Sequence, residues 1–395
     1  MGFNFVVDRI AKDKMYPNLA VWEALPYTQQ WRQFGQHYPN TVPLRLQEYC
    51  VEHGYPLSYS TAILDISGPR FYPIALEFFN FHIDYFHLLG PERLSQVRTG
   101  DMCVLFYYHE GDNPQRIRSR LDQLCDQHHL QHNCYRFVSG NTAADLVPGF
   151  VWFSDFELWF WQRNKQNIPV AIHCEPRTKE FTVLNRTHKS WRATIMADMF
   201  RKDILNNSYW SYGPGTDITD DDNPIEVDTV SEKLRWHRQK FLATTPVYCD
   251  VLNFDSHNDH SLSVKEHFEN SYCNIVIETH WDADQSGGAF ITEKTFKPIK
   301  NGQLFVIAGC AGSLATLRNL GYRTFDNVFN NDYDNETDNT KRWLLLRETI
   351  ATIQKNLPDI YKQCWDDIQH NQQLFCANKS HRLNILHQRL LNEQS

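Results

Sequence analysis

The sequence predicts an α/β protein with two Rossmann-like domains and a C-terminal helical segment. Three observations favour this class: short apolar stretches alternate with stretches of helical spacing, the alternation begins again after Ile168, and the chain is strongly helical from Lys341 onwards. Strands that alternate with helices form parallel sheets joined by crossover helices. We therefore expect an N-terminal domain over residues 1–168 and a C-terminal domain over residues 169–395.

The bulk composition is typical of a globular protein of this size. The chain has 395 residues, of which 42% are hydrophobic, and its formal net charge is −8. No apolar run approaches the ~18–20 residues that span a bilayer, and the N-terminus lacks the pattern of a secretory signal. The ten cysteines include no C-x-x-C pair, as is typical of free thiols in a reducing compartment. We expect a cytoplasmic protein without a membrane partner.

The N-terminal half contains four segments with a clear pattern. Residues 70–90 form an apolar stretch that predicts a helix ending at Gly90. Residues 101–114 predict a short buried strand followed by a turn, and residues 115–130 have helical spacing. Residues 133–142 predict a second strand that ends in a turn. This order of segments favours an α/β domain.

The C-terminal half repeats the alternation. Predicted strands lie at residues 180–186, 270–280, 303–309 and 322–326. Predicted helices cover residues 191–205, 292–302, 313–321 and 341–375, the second broken by Pro298 and the last divided at Pro358. The polar residues 213–232 predict a hydrated loop.

Glu293 and Lys294 stand side by side at the start of one predicted helix. Thr292 has the residue type of an N-cap, which places both in the first turn, where unpaired N–H groups and the helix dipole favour a phosphate. Lys294 can neutralise a diphosphate, and Glu293 can accept hydrogen bonds from ribose or sugar hydroxyls. The glycines of the preceding loop let the backbone approach a ligand closely. The alternative is a capped surface helix with a solvated Glu-Lys pair.

A second basic segment follows the strand predicted at residues 180–186. It contains Arg186, Lys189 and Arg192. Ligands of parallel sheets bind beyond the carboxyl ends of the strands, so we expect both segments at the same edge of one domain. An arginine fork with a lysine suits a leaving diphosphate. The alternative is a basic helix start that makes surface ion pairs.

These segments resemble the donor-binding half of α1,3-fucosyltransferases and related GT-B glycosyltransferases. Those enzymes have an apolar strand ending in Glu, a glycine-containing loop, a "TEK" helix and a further apolar strand. In this sequence the corresponding positions are Glu278, Gly287–Gly288, Thr292–Lys294 and Leu304–Ile307. The stretch "VLNRTHKSWR" also looks like the basic turn of phage-type glycosyltransferases. The likeness covers about forty residues well.

The resemblance implies a GT-B-like fold and roles for individual residues. Glu293 is expected to contact the ribose or the donor sugar, Lys294 the diphosphate, and Arg186 or Arg192 the β-phosphate. The resemblance also favours a GDP-sugar as the co-substrate and implies that no cofactor is required. The chain departs from the Golgi-type enzymes because its sequence begins without a membrane anchor, and because polar residues 282–286 precede the glycines.

Inverting transfer needs a carboxylate that takes the proton of the acceptor hydroxyl. Glu110 is one candidate, since it follows a predicted buried strand at the end where active sites form. His109 and Asp112 lie in the same turn as alternatives. Asp155, in the aromatic setting "VWFSDFELWFW", is a further candidate. An exposed turn residue is the alternative interpretation of Glu110.

Other patterns favour simpler interpretations. The spacing of Asp282 and Asp284 can hold a divalent metal between phosphates, yet it is common in polar loops, and we expect no metal site there. The histidines form no tetrahedral ligand set with cysteine or paired carboxylates, so surface positions are expected for His128, His132, His257, His260 and His267.

The sequence thus predicts a hexosyl- or fucosyltransferase-like enzyme that moves a sugar from a nucleotide-diphosphate sugar to an acceptor hydroxyl, by inversion and without a metal. The acceptor could be a glycan, a small molecule or modified DNA. Transfer to a modified DNA base is one alternative, for which Arg116, Arg118 and Arg120 are the indication. A non-catalytic binding or scaffold protein of the same fold is the other. The sequence does not fix the oligomeric state.

Overall fold

The structure is a computed structural model that describes most of the chain. The described residues are 4–6, 46, 49, 52–54, 69–76, 79–166, 172–213, 223–226, 234–249, 264–282, 286–377 and 379–392. The chain divides into unit 1, Met1–Trp159 with Asn378–Ser395, and unit 2, Phe160–Ala377. The sequence predicts a boundary near residue 168 and a second domain that includes the C-terminal end. The structure divides the chain after Trp159 and groups its last residues with unit 1.

The strands form two parallel sheets, one in each unit. In chain order they are β1 (Asn4–Phe5), β2 (Arg70–Leu76), β3 (Cys103–Tyr108), β4 (Tyr135–Ser139), β5 (Phe150–Trp152), β6 (Lys179–Asn185), β7 (Ser208–Tyr212), β8 (Ser271–Ile277) and β9 (Leu304–Ala308). The first sheet has the order β1-β2-β3-β4-β5 and the second the order β7-β6-β8-β9.

Helices connect the strands and form the C-terminal segment. They are α1 (Gly90–Arg98), α2 (Pro114–Gln127), α3 (Asp155–Asn164), α4 (Ser190–Arg201), α5 (Leu234–Leu242), α6 (Lys265–Glu269), α7 (Glu293–Lys300), α8 (Ser313–Asn319), α9 (Asn339–Gln354), α10 (Leu357–Gln363), α11 (Trp365–Cys376) and α12 (Ser380–Asn392). The predicted α/β class, with two parallel-sheet units and a helical C-terminal segment, is confirmed.

One predicted helix is wrong. Residues 70–90 begin with β2, and among the described residues of this range the only helix before Gly90 is a short 3-10 helix, His87–Leu89. Six consecutive residues of β2 are buried, because a parallel strand is covered on both faces and shows no alternation. Such a run cannot be told from a buried helix by periodicity. Pro73 lies beyond the last β2 residue that pairs with β1, so its missing N–H breaks no bond to that strand.

In unit 2 the strands predicted from residues 180–186, 270–280 and 303–309 are confirmed as β6, β8 and β9. The strand predicted at residues 322–326 is wrong, because Phe325 has φ of 61° and that backbone cannot continue a strand. Helix α7 runs through Pro298, so the predicted break there is also wrong. Pro358 stands in the first turn of α10 and separates it from α9, as predicted.

The second sheet contains a topological switch point between β6 and β8. From β6 the chain continues to β7 on one side, and it then returns to build β8 and β9 on the other side. In open α/β sheets, the helices that follow such a pair of strands leave in opposite directions, and ligands bind in the crevice between them at the carboxyl ends of the strands. The first sheet runs through its described strands in sequence order, without such a reversal.

Candidate functional site

The two basic segments of unit 2 meet at this switch point. The Lys189 Nζ atom donates to the carbonyl oxygen of Thr279, at 2.7 Å, and the Lys294 Nζ atom donates to Thr279 Oγ1, at 3.2 Å. Thr279 follows β8 by two residues, and Lys189 precedes α4. The expectation that the two segments share one edge of the sheet is confirmed by these contacts. We call the cluster of Lys189, Arg192, Glu278, Thr279 and Lys294 the switch-point cluster.

Glu278 fixes the start of α7. Its side chain is fully buried, and it accepts three hydrogen bonds. Oε1 accepts from the amide of Thr292 at 3.1 Å and from Thr295 Oγ1 at 2.7 Å, while Oε2 accepts from Thr292 Oγ1 at 2.7 Å. A carboxylate at a helix N-terminus is favoured by the dipole and by the unpaired N–H groups. Glu278 therefore positions the helix that carries Glu293 and Lys294, a role that the sequence pattern does not predict.

Glu293 and Lys294 differ in their access to solvent. The side chain of Glu293 is 5% exposed and that of Lys294 is 29% exposed, with 3.6 Å between Lys294 Nζ and Glu293 Oε1. Lys294 also donates to Thr292 Oγ1, at 3.0 Å. Thr292 caps the helix as predicted, since its side chain accepts from the amide of Lys294. The ammonium group is thus held in place and still reachable by an anionic ligand.

Arg192 brings a buried positive charge to the cluster. It is 4% exposed, and it donates to the carbonyl oxygens of Glu278 at 2.7 Å and Thr187 at 3.1 Å. Burial lowers the pKa of Arg192, while the charges of Glu278 and Glu293 oppose the change. Guanidinium stays protonated in proteins. In the described part of the chain its Nε–H has no hydrogen-bond partner.

Arg186 lies where β6 turns away from the sheet, and it is half-buried. Its carbonyl oxygen approaches Gly213, after β7, so closely that a Cβ atom on Gly213 would stand 1.8 Å from it. Only glycine fits there. The loop that carries Arg186 is therefore held against the end of β7, which fixes the approach of the basic segment to the cluster.

Asn185 and Tyr212 end β6 and β7 as register partners, and both are buried. The Tyr212 hydroxyl lies 2.9 Å from Nδ1 of His188, in the loop before α4, and burial raises the pKa of Tyr212. Among the described residues, the Asn185 amide has no partner for either its oxygen or its nitrogen. Asn185 is not among the site residues that the sequence predicts.

An aromatic stack braces one side of the cluster. Trp191, in the first turn of α4, stacks on Trp281 with 5.6 Å between the rings, and the Arg342 guanidinium lies 4.4 Å from the Trp281 ring centroid. Arg342 also donates to the carbonyl oxygens of Trp281 and Glu336. These contacts tie the loop after β8 to the start of α9. Arg342, 1% exposed, was missed because its partners are distant in sequence.

The two candidate base residues lie in unit 1. Glu110 follows β3 by two residues, its side chain is 36% exposed, and its Oε1 lies 3.5 Å from Nε2 of His109. Asp112 accepts a 2.6 Å hydrogen bond from the Tyr108 hydroxyl, so its carboxylate is engaged. Asp155 begins α3 and is 6% exposed. Glu110 is the more accessible of the two candidates.

The arginines that suggested nucleic-acid binding are partly engaged within unit 1. Arg118 donates to Asp122 at 2.7 Å and to the carbonyl oxygen of Pro148. Arg120 donates to Gln123, and Arg116 lies over the ring of Phe81. Arg118 therefore contributes little free positive charge to a DNA-binding surface.

The histidines also have structural partners. His128 lies 2.8 Å from Asp84, and His132 lies 2.8 Å from Asp126. His267 is buried and stacks on Tyr209, so its predicted surface position is wrong, whereas His257 and His260 lie outside the described residues. Within the described ranges, no three His, Cys, Asp or Glu side chains are grouped to hold a metal ion. Asp284 lies outside those ranges.

Comparisons with known proteins give low similarities. No family model matches the chain, and the search of curated proteins gives no match. A DNA-modifying β-glucosyltransferase, solved with and without its substrate uridine diphosphoglucose, is 10% identical with a TM-score of 0.35, over 99% of each chain. The BGT of T4 phage in complex with UDP and Mn²⁺ is 12% identical with a TM-score of 0.31, over 97% of this chain and 100% of that one.

The second of these structures overturns one expectation. It contains Mn²⁺ together with UDP, which contradicts the expectation that no cofactor is required. Neither of the two structures is a fucosyltransferase. In the part of the chain that the structure describes, no helix is both long and apolar enough to cross a membrane.

Proposed function

We propose that the switch-point cluster of unit 2 binds the diphosphate of a nucleotide sugar, and that the protein transfers the sugar to an acceptor hydroxyl. One observation carries the proposal. Lys189, Arg192 and Lys294 come from two separate segments and converge on Glu278 and Thr279 at the carboxyl end of β8. Ligands of open α/β sheets bind at such switch points.

The charges of the cluster support an anionic ligand. Lys189 donates to the carbonyl oxygen of Thr279, and Arg192 donates to those of Thr187 and Glu278, so neutral backbone acceptors position both cations in the cluster. Glu278 is committed to capping α7. A diphosphate offers oxygen acceptors to all three cations, and charge-assisted hydrogen bonds are about twice as strong as neutral ones.

The chemistry assigns roles to the remaining residues. The acceptor oxygen loses its proton to a carboxylate and forms a bond to the anomeric carbon, while the bond from that carbon to the diphosphate oxygen breaks and its electron pair leaves with the diphosphate. The cations stabilise the charge that develops on the leaving group. We assign the base to Glu110, because its carboxylate is accessible, with Asp155 as the second candidate. We assign to Glu293 the acceptance of hydrogen bonds from the ribose or the sugar.

One experiment tests the proposed function and also identifies the sugar and the acceptor. UDP-glucose and GDP-fucose represent the hexosyl and fucosyl donors. A small saccharide and duplex DNA carrying a hydroxymethylated base represent two acceptor classes. Each mixture is incubated with Mn²⁺ or with EDTA, and mass spectrometry follows both the free nucleoside diphosphate and the mass of the acceptor.

We expect one donor to release its nucleoside diphosphate as the acceptor gains the mass of the sugar. Glu110→Gln should lower turnover by at least about 100-fold with little change in donor affinity, since a general base contributes 10²–10⁴-fold. Lys265→Ala, whose side chain is 71% exposed, is the control. No nucleotide binding by the folded protein would contradict the proposal and favour a scaffold role. Full activity of both Glu110→Gln and Asp155→Asn would contradict the assignment of the base.

A further inference from the structure

Asn185 carries two polar atoms that the fold leaves unsatisfied. The residue is 2% exposed, and in the described part of the chain neither Oδ1 nor Nδ2 has a hydrogen-bond partner. Buried side-chain amides almost always have partners in native proteins, and an exception calls for an explanation such as a binding role. The backbone of Asn185 does have a partner, since its carbonyl oxygen accepts from the amide of Gly213 at 3.0 Å.

The position of Asn185 links it to the switch-point cluster. It is the last residue of β6, one of the two strands that flank the switch point. Its register partner Tyr212 shares its face of the sheet, and the Tyr212 hydroxyl reaches His188 in the basic segment. The buried Nε–H of Arg192, in the same segment, is likewise without a partner among the described residues. Unsatisfied polar atoms thus gather where the proposed ligand binds.

Asn371 shows what a structural buried asparagine looks like in the same unit. It is also 2% exposed. Its Oδ1 accepts from the amide of Arg323 at 2.7 Å, and its Nδ2 donates to the carbonyl oxygen of Arg323 at 2.8 Å. Both polar atoms of the Asn371 amide thus bond to the backbone, whereas neither polar atom of the Asn185 amide bonds to a protein group that the structure describes.

The chemistry of the amide restricts the ligand group. A carboxamide offers two donors and an acceptor. A phosphate has only acceptors to offer, so it can satisfy Nδ2 and leaves Oδ1 without a donor. A sugar hydroxyl, or the edge of a nucleobase that carries both N–H and C=O, satisfies both ends of the amide.

We propose that Asn185 is a ligand-binding residue that holds a neutral donor-and-acceptor group of the nucleotide sugar, next to the diphosphate bound by Lys189, Arg192 and Lys294. This inference rests on the proposed function. Asn185 selects the nucleotide sugar over a bare diphosphate, and the cations bind both.

The test compares Asn185→Leu with Asn371→Leu, which remove amides of equal burial. Calorimetric titrations with UDP, GDP, UDP-glucose, GDP-fucose and inorganic pyrophosphate give the affinities, and thermal unfolding without ligand gives the stability. We expect Asn185→Leu to weaken nucleotide binding by about fivefold to 100-fold, since an unmatched polar group is costly, and to change pyrophosphate binding less than about twofold. Its melting temperature should stay the same or rise. Asn371→Leu should melt earlier and bind nucleotides as the wild type does.

The choice of probes also shows which part of the nucleotide sugar Asn185 binds. An effect limited to UDP-glucose or GDP-fucose identifies the transferred sugar, and an equal effect on UDP or GDP identifies the nucleoside. Unchanged nucleotide affinity in Asn185→Leu overturns the inference, as does a loss of stability as large as that of Asn371→Leu. Wild-type protein that binds none of the nucleotides overturns the proposed function instead.

Discussion

The carboxylate of Glu278 holds both the amide and the hydroxyl of Thr292, at 3.1 and 2.7 Å. This pair of bonds joins the carboxyl end of β8 to the first turn of α7. The loop between the two residues is therefore closed at its base, and the positions of Glu293 and Lys294 are set by the strand. The arrangement explains why an acid and a base stand together at this point of the chain.

Replacing Glu278 by Gln should destabilise the protein by about 1–3 kcal/mol. The variant turns one acceptor into an amide donor that faces the donors of Thr292 and Thr295, and an unsatisfied buried group costs about that much. Urea unfolding measures the loss. Glu269→Gln, at a side chain that is 50% exposed, should stay within about 0.5 kcal/mol. Equal stability of the two variants would disprove the capping role.

A buried ion pair should anchor α12 to unit 1. Lys379 Nζ lies 3.0 Å from Glu157 Oε1 with both side chains at 0% exposure, and Arg382 donates to Glu157 Oε2 at 3.0 Å. Breaking a buried ion pair costs about 3–5 kcal/mol, because the charge that remains loses its buried counter-charge. We expect that loss for Glu157→Gln, and a partial recovery in Glu157→Gln/Lys379→Met. Unfolding measurements on both variants, with Glu269→Gln as the control, determine these changes in stability. A loss below about 1 kcal/mol for Glu157→Gln would contradict the anchoring role of the ion pair.

His387 should make the protein sensitive to acid. Burial, together with the charge of His53, lowers the pKa of His387 to about 4 from its ordinary 6.5. Between these values the unfolded chain binds more protons than the folded one, so stability falls as the pH drops from about 6.5 to about 4. Relative to His387→Gln, the wild type should lose about 1–3 kcal/mol over this range. Parallel stability-pH curves for the two proteins would be the contrary result.

The cysteines should differ strongly in reactivity. Cys174 and Cys376 are exposed, whereas burial raises the pKa of Cys310 to about 11 and that of Cys364 to about 12. The thiolate is the reactive form, so at pH 8 the buried thiols should react roughly 100-fold more slowly, or only after unfolding. Maleimide labelling with peptide mapping measures each site. Rapid labelling of Cys310 in folded protein would show that this part of unit 2 opens readily.

Local patterns predict β6, β8 and β9 of unit 2, but they do not predict β7 of that unit and they predict a helix in place of β2 of unit 1. Strands β6, β8 and β9 are short apolar runs bounded by glycine or polar turns, so their length identifies them. The run after Arg70 continues into further aromatic residues, so its length favours a helix although β2 ends at Leu76. The aromatic and β-branched residues around Phe325 favour a strand, and nothing in their pattern indicates the positive φ of this residue.

The candidate site also has features that the sequence predicts and features that it does not. Residue type and strand ends predict that Lys189, Arg192 and Lys294 share one edge of a sheet, because both basic segments follow parallel strands. The capping by Glu278 and the bracing by Arg342 depend on contacts across 14 and 61 positions of the chain. The unsatisfied amide of Asn185 is a property of its surroundings in the fold, which no spacing of residue types encodes.

The most direct test of the central claim is calorimetric titration of UDP and GDP into wild-type protein, Lys294→Ala and Lys265→Ala, each with and without Mn²⁺. We predict that the wild type and Lys265→Ala bind one nucleoside diphosphate equally well. Lys294→Ala should bind it about 10- to 150-fold more weakly, as expected for a lost charge-assisted hydrogen bond of about 1.5–3 kcal/mol. Equal affinities of all three proteins, or no binding by the folded wild type, would contradict the claim that this cluster holds a diphosphate.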